Sequence, residues 1–336
     1  MTHDDDTIEH ILLKNKPNLS RGSLKTYMAS YRKVKNDSGI KMDTPEQIHE
    51  NYKELLEWMM KHFTPNVRKS KIAVLVNLIN DKTENEHRDE ALTAFRTQMA
   101  LDSAESDKRS DKQELTDTQK KNLISQNEVI RIFSELKAQA TPLFKLNSLN
   151  KNQFNLLQSY VLLALYVMIP PRRSTDYTMF KIRNFDDAPQ STDNYMFNFN
   201  RSKKKPTSFV FNTYKNSNRM GRQIMEIPKT LEKIIVEWGK FNKSDFLLVN
   251  TLGKQVAPSK ITLWLNTIFG KSISSSMLRH IFLSDKFGGV DLEEIQKTAK
   301  AMGQSSIKTN LRYVQKNAEQ VIDENEKEEK EEKKRN

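Results

Sequence analysis

Four short stretches of the chain carry side chains of the kinds that move phosphoryl groups. PPRRSTDY, residues 170–177, sets Arg173 three positions before Asp176. A carboxylate at that spacing can hold the guanidinium while its other N–H groups take a phosphate through two hydrogen bonds. A surface ion pair is the plain alternative. The spacing is also what selects Arg173 over Arg172. NTYKNSNRMG, residues 212–221, puts Lys215 at a turn between strand-like runs. A lysine on a hairpin tip can reach into a cleft and give a proton to a leaving oxygen; a solvated turn lysine is the commoner use of such a residue. Lys215 is preferred to Lys203, Lys204 and Lys205 because it follows the run FVFNTY. SSSMLRHIFLSD, residues 274–285, sets Arg279 and His280 among apolar Met277, Leu278, Ile281, Phe282 and Leu283. Charges in such company are paired or functional, and a structural ion pair competes with a catalytic role. The fourth stretch, AMGQSSIKTNLRYVQK, residues 301–316, holds Tyr313, 34 residues after Arg279 and nine after Gln304.

One reaction uses all these types. The Tyr313 oxygen attacks a DNA phosphate. Arg173 and Arg279 neutralise charge on the pentavalent transition state. Lys215 protonates the departing sugar oxygen. The energy of the broken phosphodiester stays in a phosphotyrosine bond, so the step is reversible. No metal or nucleotide enters this scheme, and no cofactor is expected. His3, His10, His49, His62 and His87 are scattered without an HExxH-type pairing, so no catalytic metal is expected either.

The order Arg173-x-x-Asp176, Lys215, Leu278-Arg279-His280, Gly303-Gln304-Ser305-Ser306 and Tyr313 resembles the catalytic domain of the tyrosine recombinase (phage-integrase) family. The resemblance covers about residues 122–316, and it lies in the order and spacing of five pieces rather than in any one. Two positions depart from the family pattern. Ser276 stands three before Arg279, where the family has His or Lys, and Gln304 stands where it has His or Trp. Both can still donate a hydrogen bond to a phosphate oxygen, without the charge of the usual residue. His280 is a further candidate for part of that duty. The resemblance implies a site-specific recombinase or integrase that forms a 3′-phosphotyrosyl intermediate, with double-stranded DNA as partner and a homo-tetramer on paired sites. A type IB topoisomerase is the enzymatic alternative, because it shares the arginines, lysine and tyrosine. A DNA-binding protein that kept the fold without cleaving is the other.

These residues need elements to hold them. Helical periodicity runs through residues 7–100, with Ser20 capping LSRGSLKTYMASYRKV, one helix over residues 45–63 opened by Pro45, and another over 66–80. Arg21, Lys25, Arg32 and Lys33 on the first, and Arg68, Lys69 and Lys71 on the last, are the candidate DNA-contacting cations. The expected domains are a helical core-binding domain (1–101), a charged linker (102–120) that could also be a solvated helix, a catalytic domain (121–316) and a charged tail (317–336). Within the catalytic domain, helices are expected over 124–136 and 152–169. The period then shortens to two in YMFNFN, SFVFNT and RQIMEI, which predicts three antiparallel strands. DLEEIQKTAKAM, residues 291–302, reads as a helix capped by Asp291 and stopped by Gly303. The fold class is mainly α with a small antiparallel sheet, and the resemblance implies a two-domain C-shaped clamp.

The bulk properties agree with these expectations. The chain has 336 residues, a net charge of +12 and a pI of about 9.5, which favour a polyanionic partner. Hydrophobic residues are 36% and charged residues 29%, the balance of a folded protein with much polar surface. No apolar run reaches the roughly 18 residues of a membrane span, and the longest, SYVLLALYVMIPP, fits a buried helix. The chain has no cysteine, which excludes disulfides and thiolate metal sites and fits an intracellular protein, in a host nucleus or viral replication compartment if the source is a virus. RSKKKP, residues 201–206, reads first as a solvated turn, then as a phosphate contact, and last as a nuclear localisation patch. The Asn- and Lys-rich composition hints at an AT-rich mobile element or virus.

Overall fold

The computed structural model describes residues 3–80, 86–111, 116–199, 207–287, 297–298 and 300–303. The chain divides into two compact units, residues 1–112 and 113–336.

Among the described residues of the first unit there are six helices: α1 (His3–Asn15), α2 (Arg21–Ser38), α3 (Pro45–Glu50), α4 (Tyr52–His62), α5 (Pro65–Ile79) and α6 (Glu86–Asp111). Ser20 accepts from the Ser23 amide at 3.1 Å, capping α2 as its sequence predicts. Gly39, at φ 68°, closes the helix in the left-handed conformation that glycine adopts without a Cβ penalty. The single helix expected over residues 45–63 is two. Asn51 leaves helical geometry at φ −97° and ψ 15°, and its side-chain amide donates to the Lys41 carbonyl at 2.9 Å, an asparagine competing locally with the helix. Ile8, Leu12, Met28, Tyr31, Ile72, Leu75, Leu78 and Phe95 form part of the core. α6 continues to Asp111, so the first half of the expected linker is helix and belongs to this unit. Asp102 anchors it there, as described below.

The second unit contains α7 (Asp117–Asn122), α8 (Gln126–Ala140), α9 (Lys151–Val167), β1 (Tyr195–Phe197), β2 (Ser208–Phe211), α10 (Ser217–Met220), β3 (Gln223–Glu226), α11 (Lys229–Trp238), α12 (Pro258–Phe269) and α13 (Ser275–Phe287). α9 is its spine. Asn150 and Gln153 cap it reciprocally at 3.0 and 2.9 Å, and its C-terminal half is apolar on all sides, with every residue from Tyr160 to Tyr166 buried. Pro170 and Pro171 follow its end, where proline cannot continue a helix. The three strands form one antiparallel sheet in the order β1-β2-β3, with Met196 opposite Phe209 and Val210 opposite Ile224. β2, flanked on both edges, is buried at all four residues. In β3, Gln223 and Met225 turn inward while Ile224 and Glu226 turn out, the period of two that the sequence shows. Asn198, at φ 65°, turns the chain away after β1.

Gly303, at φ 68°, is the stop the sequence predicts: its amide bonds to the Lys300 carbonyl at 3.0 Å. The cap expected at Asp291, the cations at 201–206, Gln304, Tyr313 and the tail lie outside the described residues. Among the described residues no helix is long and apolar enough to cross a membrane.

Candidate active site

The site forms where α9 ends, α13 begins and the β2–β3 hairpin turns back. Arg172 is its centre. The guanidinium is 1% exposed, and its Nε donates to Asp176 Oδ2 at 3.0 Å. Nη1 donates to Gln223 Oε1 at 2.9 Å and to the Ala301 carbonyl at 2.8 Å. The guanidinium carbon lies 3.8 Å from the centre of the Phe211 ring and 5.2 Å from that of Tyr214, contacts that suit a flat, weakly hydrated cation. Nη2 is buried without a hydrogen-bond partner among the described residues. Asp176 is fully buried. Burial pushes its carboxyl above the ordinary range, and the charge and hydrogen bond of Arg172 pull it back.

This corrects the sequence reading of the arginine pair. Asp176 holds Arg172, not Arg173. The three-residue spacing assumed helical geometry at Arg173, yet that residue is extended, at φ −70° and ψ 147°, and only Ser174–Asp176 coil as a 3₁₀ turn. Successive side chains on an extended segment diverge, so Arg172 is buried in the core and Arg173 is not. Arg173 is half-buried, and its Nη1 also is buried without a hydrogen-bond partner among the described residues. It remains close enough for its charge to act on Asp176. Two guanidinium groups from neighbouring residues therefore each leave one buried N–H group uncommitted.

Arg279 enters from α13. Ser274 opens that helix, accepting from the Met277 amide at 3.3 Å. Arg279 is 2% exposed, among buried Met277, Leu278 and Ile281. Its Nη2 lies 3.4 Å from the Ser276 hydroxyl, one turn back on the same face. Ser276 itself is exposed and His280 is half-buried. The Arg279 charge acts on Tyr166, whose buried phenol is pushed well above its ordinary value by desolvation.

Lys215 sits, as expected, in the turn between β2 and β3, and it is exposed. The turn is not loose. Tyr214 donates its hydroxyl proton to the Gly221 carbonyl at 2.8 Å, and the Ser217 amide bonds back to the Tyr214 carbonyl at 3.0 Å. The neighbouring Asn216 reaches the Gly303 carbonyl at 2.9 Å. A Cβ on Gly303 would stand 2.8 Å from Arg172 Nη2. Only a glycine allows that approach, so Gly303 lies flat against the central arginine.

Sequence reasoning missed Gln223 and Asn216. The signal for Gln223 was its inward register in β3. Asn216 gave none beyond its place beside Lys215. All five described tyrosines of this unit, Tyr160, Tyr166, Tyr177, Tyr195 and Tyr214, are buried.

In the first unit, Arg21, Lys25 and Lys33 are exposed and Arg32, Lys69 and Lys71 half-buried. Lys33 pairs with Asp37 at 2.5 Å. Lys71 bonds to Ser30 at 3.1 Å, bridging α5 to α2. Burial lowers its affinity for a proton, and the like charge of Lys33 lowers it further. Arg68 is a correction. It is buried and gripped by Asp102, with Nε at 3.0 and 3.2 Å from the two carboxylate oxygens and Nη1 on the Phe63 carbonyl at 3.2 Å. It ties α5 to α6 and presents no charge to a ligand.

No protein-family profile matches the chain, and no curated protein matches it. Among solved structures it is similar to a XerA recombinase, at 14% identity and a TM-score of 0.40, over 95% of this chain and 96% of that one. It is similar to a lambda integrase dimer bound to a COC′ core site, at 11% and 0.49, over 90% and 94%. A lambda integrase tetramer bound to a Holliday junction gives 11% and 0.49, over 92% and 75%. At such identities and TM-scores these likenesses assign no activity.

Proposed function

We propose that the chain is a DNA-cleaving and rejoining enzyme of the tyrosine recombinase kind, with Tyr313 as nucleophile. The observation that carries this reading is the seat of Gly303 on Arg172. It fixes the start of the Tyr313 segment beside buried guanidinium groups that still have donors to give. Burial makes those donors strong, because a phosphate oxygen arriving there meets them in a low dielectric. Each described tyrosine of the unit is locked in the core, which leaves Tyr313 as the phenol for attack.

In the reaction, the Tyr313 phenol gives up its proton to water, its oxygen bonds to phosphorus, and the bond from phosphorus to the 5′ oxygen breaks. Arg172, Arg173 and Arg279 hold the non-bridging oxygens, and Lys215 gives the leaving oxygen its proton. Ser276 supplies one neutral hydrogen bond at the same edge. The first unit contributes affinity through Arg21, Lys25 and Arg32, whose positions on α2 recur on one face, and through Lys71. The finer reading is a site-specific recombinase that works as a tetramer on paired sites and integrates or resolves a mobile or viral element. The Asn- and Lys-rich composition supports only the mobile or viral source; the size of the DNA complex is what separates the recombinase from a topoisomerase. A second reading, a DNA-binding protein without cleavage, is favoured by the uncharged Ser276 beside Arg279.

The test is selection. A randomised pool of nicked duplexes is incubated with the protein in EDTA, denatured in SDS, and the protein-linked DNA is sequenced. Recovery of a consistent site supports the recombinase, and its size in complex with the protein separates a tetramer from a monomeric topoisomerase. Salt-sensitive binding with no linked DNA at any sequence contradicts it and supports the second reading.

A further inference from the structure

Three main-chain carbonyls at the start of the Tyr313 segment are taken by side chains from elsewhere in the site. Gln223 Nε2 donates to the Lys300 carbonyl at 3.0 Å, while its Oε1 accepts from Arg172. Arg172 Nη1 donates to the Ala301 carbonyl at 2.8 Å. Asn216 Nδ2 donates to the Gly303 carbonyl at 2.9 Å. Carbonyls at a helix end are ordinarily left to water or a cap, and that of Lys300 also accepts from the Gly303 amide at 3.0 Å. Here two of the three donors, Asn216 and Gln223, belong to the hairpin that carries Lys215. The hairpin tip keeps its own bonds, from the Arg219 and Met220 amides to the Asn216 carbonyl at 3.1 and 3.0 Å, so the Asn216 amide is aimed by a folded turn.

We propose that Asn216 and Gln223 are positioning residues forming a latch that seats the general acid and the nucleophile together. The proposal rests on the recombinase reading. Asn216 adjoins Lys215 in sequence, so its bond to Gly303 ties the turn that carries the lysine to the residue from which the chain runs on to Tyr313. An acid presented without the nucleophile, or the reverse, leaves the bond between Asn216 and Gly303 unmade. The latch therefore discourages cleavage by a half-assembled site.

The experiment uses the duplex recovered above in two forms, one ordinary and one with sulfur in place of the bridging 5′ oxygen at the scissile phosphate. Sulfur leaves as a thiolate and needs no proton, because a thiol is far more acidic than an alcohol. Lys215→Ala is expected to form the adduct about 10²-fold more slowly on oxygen and at the parent rate on sulfur. Asn216→Ala is expected to be slowed about 10²-fold on oxygen, and to stay slowed about tenfold on sulfur because the nucleophile is loosened too. Asn216→Ala at the parent rate on oxygen overturns the latch. Full recovery on sulfur overturns the coupling, since Asn216 then acts through Lys215 alone. Hydrogen exchange of the Met302 and Gly303 amides, measured without DNA, provides the independent arm. Faster exchange in Asn216→Ala supports the latch, and unchanged exchange overturns it. A parent protein that forms no adduct on either duplex overturns the recombinase reading, and the exchange result still decides the latch.

Discussion

Replacing Arg172 by methionine tests the centre of the site as structure before it is tested as chemistry. Arg172 and Asp176 are 1% and 0% exposed as side chains, and their bond measures 3.0 Å. Arg172→Met keeps much of the bulk against Phe211 but leaves a carboxylate in the core without its cation. Removing one member of a buried pair costs about 3–5 kcal/mol, because the other stays desolvated. The links to Gln223 and the Ala301 carbonyl go as well. Adding Asp176→Asn to Arg172→Met removes the stranded charge and should return a large part of the loss. The pH dependence follows from the direction of the Asp176 shift. Burial raises its folded pKa above the unfolded value, and the folded state is then favoured by protonation. The deficit of Arg172→Met should accordingly shrink as pH falls from about 7 towards about 5. The assay is urea unfolding followed by the fluorescence of Trp238, which is buried in this unit and bonded to the Leu247 carbonyl at 2.9 Å. A single variant within about 1 kcal/mol of the parent, the error of the extrapolation, or a double variant no better than the single, would refute the reasoning.

Other outcomes follow from the same geometry. Gly303→Ala forces a Cβ to within 2.8 Å of Arg172 Nη2 at a positive φ; it should cost about 1–2 kcal/mol from the backbone alone and should sharply reduce adduct formation in the trapping assay. Arg68→Ala strands the buried carboxylate of Asp102 and should destabilise the first unit by about 3–5 kcal/mol in a thermal melt, whereas Lys25→Ala should leave the melt unchanged. Lys25→Ala should instead weaken duplex binding at every sequence and reduce the salt slope by about 1. Arg279→Ala should slow adduct formation by about 10²-fold or more while duplex affinity falls little.

Much of this was legible in the chain, for local reasons. The cap at Ser20, the strands and the glycine stop at Gly303 each depend on residues a few positions apart. The helical periods gave α8 and α9 for the same reason. What escaped depends on backbone direction or on long separations. The choice between Arg172 and Arg173 turned on whether one residue was extended or helical, and spacing alone cannot settle that. Arg68 read as a ligand-facing cation because its partner, Asp102, is 34 residues away. That same aspartate lies in a stretch whose charge and lack of apolar period read as linker, although one buried acid and its arginine are enough to bind the helix to the unit. Gln223 and Asn216 were silent because amide side chains bonding to main-chain carbonyls leave no pattern in sequence.

The central claim is that Tyr313 takes the phosphoryl group. The most direct measurement is mass spectrometry of the SDS-stable adduct formed in EDTA, with digestion of the protein and mapping of the nucleotide-bearing peptide, run beside Tyr313→Phe. The account predicts the modification on the peptide containing Tyr313, and no adduct from the variant despite near-parental duplex binding. A nucleotide on another residue, or an undiminished adduct from Tyr313→Phe, would contradict it.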